Sequence, residues 1–165
     1  MDKYYYFASE LSLLDFGKDS FINCDSFLTE ARKWMSDKDF KMLESVDIND
    51  FYQNKKDTAL VRKYKHFEMS LREDLFFKRK PQELSGQHRI PEVLEPSILE
   101  GSPLEVEKKL LRLRWNFIEE CAEEHYFDLG FFIFYFLKLQ ILQKLFIFDK
   151  EKGLGAFDRL CEVKV

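Results

Sequence analysis

The sequence predicts an all-α protein, a helical bundle in two parts joined by a proline-containing connection. Three observations carry that expectation. Threonine occurs only at Thr29 and Thr58 and valine only six times, whereas Leu, Phe, Lys and Glu dominate; a sheet-rich chain would use more β-branched residues. Apolar residues recur at helical spacing in several long stretches. All four prolines, Pro81, Pro91, Pro96 and Pro103, fall between residues 81 and 103, together with Gly86 and Gly101. The division read from this is an N-terminal helical part at 1–80, a Pro-rich linker at 81–103 and a C-terminal helical part at 104–165. The length of 165 residues suits one compact domain overall.

The elements follow in order. Residues 4–14 read as a short helix. Asp15 to Asp25 is irregular, with Gly17 as a breaker. Asp25 or Ser26 is placed to cap a helix in which Phe27, Leu28, Ala31, Trp34 and Met35 share one face. Ser36 with Asp39 three residues on resembles a capping box and starts a second short helix through Phe40, Leu43 and Val46. Asp57 opens a longer helix to about Arg79, with Leu60, Tyr64, Phe67, Leu71 and Leu75 as its stripe, and Pro81 stops it. Ser102, Pro103 and Glu105 form a strong helix start: a capping hydroxyl, a proline in the first turn and a carboxylate at the third helical position. That helix is expected to reach about His125. Asp128 caps the last long helix, to about Phe148, before Gly153 and Gly155 and a short terminal helix at 156–162. Tyr4 to Phe7, Trp34 and Trp115 are all expected in the core.

The stretch FFIFYFLKLQILQKLFIF, residues 131–148, contains six phenylalanines. Its unbroken apolar run, Leu129 to Leu137, is nine residues, whereas a spanning helix needs about 20. Lys138, Gln140, Gln143 and Lys144 then interrupt it, and a lysine at the bilayer centre costs about 2.5–3.5 kcal/mol. The expectation is a core helix with one polar edge, buried in protein and not spanning a membrane.

Charge bounds the partners. A formal net charge of −4 with a pI near 5.5 argues against nucleic acid as the ligand. Residues 50–80 are basic, with nine Lys and Arg against five acids, and residues 91–125 are acidic, with nine Glu against four bases. These two segments either attract each other within the fold or serve as docking surfaces for other subunits. Cys24, Cys121 and Cys161 are odd in number and widely spaced, which fits a reducing compartment better than a disulfide framework. The N-terminal residues have neither the basic region nor the apolar run of a signal peptide.

Motifs for chemistry are scarce. There is no glycine-rich phosphate loop, no Gly-x-Ser-x-Gly, no His-Glu-x-x-His and no Cys-x-x-Cys. His66, His88 and His125 lie in different segments. In EECAEEH, residues 119–125, Cys121 and His125 are four apart with Glu124 adjacent, but a metal needs three or four converging ligands. Ala122 also stands where a di-iron Glu-x-x-His pattern would need its glutamate. No catalytic, cofactor-binding or metal residue and no small-molecule substrate is expected.

Two stretches resemble an uncharacterised bacterial family. YYYFASELSLLDFG, residues 4–17, is similar to an opening that reads Tyr-Tyr-Tyr-Leu-Val-Ala-Ser-Leu-Pro-x-Leu and then Phe-Gly; here Ser12 stands for the usual Pro and Phe7 for a common Leu. YFLKLQILQKLFIFDKEKG, residues 135–153, is similar to that family's aromatic-rich helix, Leu-x-Ile-Leu-x-Arg/Lys followed by Phe-Asp-x-Glu-x-Gly. Residues 26–44 fit the pattern between them. Genes of that family lie beside those of V-type (A-type) ATP synthases. The resemblance implies a non-catalytic helical subunit or accessory protein of that rotary complex, related to the helical C-type subunit of the central stalk, which joins the shaft to the membrane rotor. It implies other V-type ATPase subunits as partners and a place in the cytoplasm or at the cytoplasmic membrane face. The alternative is a free-standing helical protein-binding module or regulator.

Overall fold

The computed structural model describes residues 4–18, 21–79 and 90–162. It is all-helical, with no strand among the described residues. Six α-helices appear there: α1 (Tyr5–Glu10), α2 (Cys24–Trp34), α3 (Asp37–Glu44), α4 (Ala59–Arg79), α5 (Pro103–Ala122) and α6 (Leu129–Glu162), with a 3₁₀ turn at Pro96–Leu99. Residues 80–89, which include Pro81 and Gly86 of the Pro-rich connection as well as His88, lie outside the described residues.

Local chemistry sets the helix starts. Asn23, rather than Asp25 or Ser26, caps α2: its Oδ1 accepts from the Ser26 N–H at 2.7 Å. Ser36 caps α3 through the Asp39 N–H. Asp39 does not close a capping box there; its carboxylate accepts from the Tyr4 hydroxyl. At α4 the cap is Thr58, accepting from the Val61 N–H at 3.2 Å, while Asp57 turns to other partners. The expected Ser102–Glu105 capping box is complete at α5, with both reciprocal bonds formed. Asp128 caps α6 through the Phe131 N–H at 2.9 Å.

Two helix ends differ from the sequence reading. α5 stops at Ala122, three residues before His125. α6 does not stop at Phe148; it continues through Gly153 and Gly155 to Glu162 as a single helix. A glycine inside a helix costs about 1 kcal/mol relative to alanine but leaves the backbone hydrogen bond intact, unlike proline. A preformed helix can therefore run through both.

α6 is the axis of the core. Phe132 through Leu137 are consecutively buried, followed by Leu139, Ile141, Leu142 and Leu145. The helix packs against α5, α2 and α3. On one side its rings meet α1 and α2. Phe7 stacks on Phe132 at 4.9 Å, and Phe27 lies 5.3 Å from Tyr135 and 5.7 Å from Phe136. On the other side α5 runs antiparallel to α6, with Lys138 4.9 Å over the Trp115 ring near the middle and Lys108 paired to Asp149 towards the start of α5. α4 in turn runs antiparallel to α5, where Phe67 stacks on Phe117 at 4.0 Å. At the start of α6, a Cβ on residue 130 would lie 2.7 Å from both Leu60 and the His125 ring, so Gly130 permits this close approach.

The polar edge of α6 is mostly fastened to protein. Gln140 donates to the Val46 carbonyl at 2.8 Å and accepts from the Ile48 N–H at 2.9 Å. Lys144 donates to Asn49 and Lys138 to Glu119; Gln143 faces outward. By length and composition Leu129–Asp149 suffices to cross a bilayer, with a mean hydropathy of 1.6, and 56% of that window is buried inside the protein. Trp115 is in the core as expected, but Trp34 is 46% exposed. Of the N-terminal aromatics, Tyr4 and Phe7 are buried, while Tyr5 and Tyr6 face outward.

Leu137 has no solvent exposure. Leu137→Ala is expected to lower the unfolding free energy by about 2–5 kcal/mol, through lost burial and the remaining cavity. Urea denaturation followed by circular dichroism measures it.

Candidate functional site

The described residues hold no group of three or more His, Cys, Asp or Glu placed to take a metal ion. Cys121 and His125, four apart in sequence, do not share a helix face, because α5 has already ended between them. Cys121 is buried and hydrogen-bonds Lys63; burial pushes its thiol above the ordinary range. The His125 ring lies 2.6 Å from the Asp128 carboxylate and 5.7 Å from the Phe134 ring. The Cys24 thiol is pushed up to about 11, first by burial and then by the Asp25 charge. Neither described cysteine is held as a thiolate, the form that acts as nucleophile and ligand.

What the structure assembles instead is a set of buried charges along α4. Glu68 has no solvent exposure, and Arg114 on α5 grips it with two bonds, at 2.8 and 2.9 Å. Arg72 adds a third at 3.0 Å. Arg72 also donates to the Asn49 carbonyl and sits 4.4 Å over the Phe51 ring. Burial works against the Arg114 charge, but the Glu68 bonds outweigh it and hold its affinity for the proton above the usual value. This pair has the opposite sense to the one the charge distribution suggested: the acid is on the basic segment and the base on the acidic one.

A second cluster centres on Lys65, which is 6% exposed. Its ammonium lies 2.8 Å from Asp50 and 2.9 Å from Asp57. Burial favours a neutral lysine, but the two carboxylates prevail and raise its pKa. For Asp50, burial pushes upward, and the bonds from Lys65 and the Tyr52 N–H bring the net shift downward. The Tyr64 hydroxyl donates to the Ile48 carbonyl at 2.8 Å. The loop between α3 and α4 is thus held by Tyr64, Lys65, Arg72, Gln140 and Lys144. None of these partnerships was read from the sequence, because their members lie up to 95 residues apart.

Two exposed apolar areas lie at opposite ends of the buried part of α6. At its start, Tyr5 lies 4.9 Å from Phe127 and 5.8 Å from Tyr6. Tyr6 and Tyr126 are each 69% exposed. A cavity of about 230 Å³, lined by Leu11, Leu13, Phe131, Phe134 and Lys138, opens nearby. At the far end, Phe146 contacts Phe21 at 6.3 Å, yet Phe146 and Ile147 remain 46% exposed and Leu154 54%. Both areas use α6, whose buried section from Phe132 to Leu145 spans about 20 Å at 1.5 Å per residue.

The two charge clusters make separable predictions. Glu68→Ala leaves Arg114 buried without its partner and should cost about 3–5 kcal/mol, while a paired Glu68→Met, Arg114→Met change should cost much less; a double-mutant cycle by chemical denaturation measures both. The lowered Asp50 stabilises the fold fully above the unfolded carboxylate range near pH 4, and this contribution fades as pH falls through its folded value. The raised Lys65 loses its contribution only above about pH 10.4. Lys65→Met should therefore flatten the acid arm of the stability profile, read from denaturation midpoints between about pH 5 and 3.

Residues 83–163, which include α5 and α6, match a family model described as Protein of unknown function (DUF2764). No curated protein matches the chain, and no solved structure does.

Proposed function

We propose that this chain is a non-catalytic helical subunit or accessory protein of a V-type ATP synthase or ATPase, coupling the central shaft to the membrane rotor from the cytoplasmic side. The observation that supports it best is the pair of exposed apolar areas, Tyr5–Tyr6–Tyr126 and Phe146–Ile147–Leu154, at the two ends of one buried helical axis. A coupling element has to hold two neighbours at a fixed separation and needs no active site. Exposed apolar patches of this kind mark sites of protein association, and aromatic side chains dominate the centres of such interfaces. The resemblance of residues 4–17, 26–44 and 135–153 to a family whose genes lie beside those of V-type ATP synthases supports that assembly as the one it joins.

The reading also accounts for the apolar character of α6 without a membrane span. Most of its apolar residues up to Leu145 contact α1, α2, α3 or α5, and of the residues that break its hydropathy Lys138, Gln140 and Lys144 bind α5 and the 46–49 loop. The catalytic and ion-carrying parts then belong to other subunits.

The test is purification of the V-type complex from the native host through a tag on this chain, followed by mass spectrometry. Rotary subunits should co-purify in constant ratio. A complex that purifies intact through another subunit and lacks this chain overturns the reading, and a stable monomer with an unrelated partner favours a free-standing binding module. Phe146→Asp with Ile147→Asp should abolish co-purification while leaving the far-ultraviolet circular dichroism unchanged, since both side chains are half exposed.

A further inference from the structure

A groove of about 560 Å³ runs between α3, the start of α4 and the 50–58 loop. Lys38 and Lys41 line one wall and Lys56 the other, with Met42 and Val61 between them. All three lysines are exposed, and none of their ammonium groups has a hydrogen-bond or ion-pair partner among the described residues. The two carboxylates in the groove, Asp50 and Asp57, are already held by Lys65. With four lysines against two carboxylates, the groove therefore presents a surplus of two positive charges on a chain whose net charge is −4. Its shape is fixed in advance: the loop that forms one wall is tied down by Tyr64, Lys65, Arg72 and Asn54, the last through its N–H to Asp57 at 2.7 Å.

We propose that this groove docks an acidic segment of a partner protein, one in which carboxylates alternate with aliphatic side chains. Carboxylates meet Lys38, Lys41 and Lys56, and an aliphatic side chain settles against Met42 and Val61. Charge complementarity selects the partner: unpaired ammonium groups ring a partly apolar floor, and the local sign opposes that of the whole chain. The volume lies within the range of about 300–1,000 Å³ typical of binding clefts. The groove shares no lining residue with either exposed apolar area, so the inference is independent of which assembly the chain joins.

The experiment uses the full-length chain and a short fluorescent peptide of alternating Glu and Leu. Saturable anisotropy is expected, with shifts of the Met42 and Val61 methyl resonances. Affinity should weaken steeply as salt rises from low to physiological ionic strength, because exposed charges are screened over about 8–10 Å. Lys38→Glu with Lys41→Glu should weaken binding by about tenfold or more, and Lys56→Glu should weaken it independently. Both variants should keep the parent's denaturation midpoint, because the side chains are exposed. Equal binding of a Gln/Leu peptide, or undiminished affinity in the charge-reversed variants, overturns the proposal. So does displacement of the peptide by inorganic phosphate at equal concentration, which would make the groove a phosphate site. Methyl shifts that appear on raising protein concentration without peptide, with a dimer in sedimentation, would assign the groove to a second copy and overturn it as well.

Discussion

The fold depends on one constraint: the first half of α6 has almost no side fit for water. Six consecutive residues, Phe132 through Leu137, are buried, and consecutive residues on a helix point in different directions around its axis. Neighbours are therefore needed around most of the axis. α1 and α2 supply stacked rings, α5 a face centred on Trp115, and α3 part of the remainder. Where α6 turns polar, at Lys138, Gln140 and Lys144, its partners are a carboxylate, loop backbone and an asparagine. Gln140 uses both ends of its amide on the same loop, so a segment with no helix of its own is fixed to the axis. A buried backbone group left without such a partner would cost on the order of 1–3 kcal/mol.

The buried Arg114–Glu68 pair constrains how α4 meets α5 more than it adds net stability. An ion pair of this kind often does little better than apolar residues of equal shape, because desolvation offsets most of the attraction. Its geometry is nonetheless demanding. The two-pronged Arg114–Glu68 contact and the Phe67–Phe117 stack lie on neighbouring turns, and together they admit one axial alignment of α4 against α5. Lys65 does the same for the loop before α4, drawing Asp50 and Asp57 to one ammonium. Asp74 belongs to this pattern less completely. It is 2% exposed, and one carboxylate oxygen accepts from the Val93 and Leu94 N–H groups. Its other oxygen has no partner among the described residues.

Helix identity was legible because the signals are local. The Ser102–Pro103–Glu105 start, the stripe through Tyr64, Phe67 and Leu71, and the scarcity of β-branched residues each act within a few positions. Helix ends were less legible. α5 closes at Ala122 because the chain must turn there for Asp128 to cap α6, and nothing in EECAEEH announces that turn. Trp34 sits beside an apolar stripe, yet the buried face of α2 is centred on Phe27 and Ala31. Lys38 and Lys41 were visible only as members of a short helix, and Lys56 only as part of a basic segment. Their convergence arises from the α3–α4 loop, whose path is set by Gln140 and Arg72, 94 and 23 residues from the groups they bind. A sequence pattern with helical period carries no information about such pairs.

The length of α6 links the core to the proposed coupling role. Short isolated helices are marginal in water because the first turn is costly to nucleate, whereas extending an existing helix adds one bond per residue. The segment after Asp149 meets no nucleation cost, because the packed half has already set its backbone. Gly153 and Gly155 lower its intrinsic propensity by about 1 kcal/mol each relative to alanine. Its stability is therefore drawn from the core at one end and, on the proposed reading, from a neighbour at the other. The apolar side chains where the packed region ends, Phe146 and Ile147, and Leu154 beyond them, are the surface such a neighbour would cover. A helix anchored in this way carries displacement along its axis between core and partner without bending at a loop, and an adaptor between two moving parts must meet that mechanical condition.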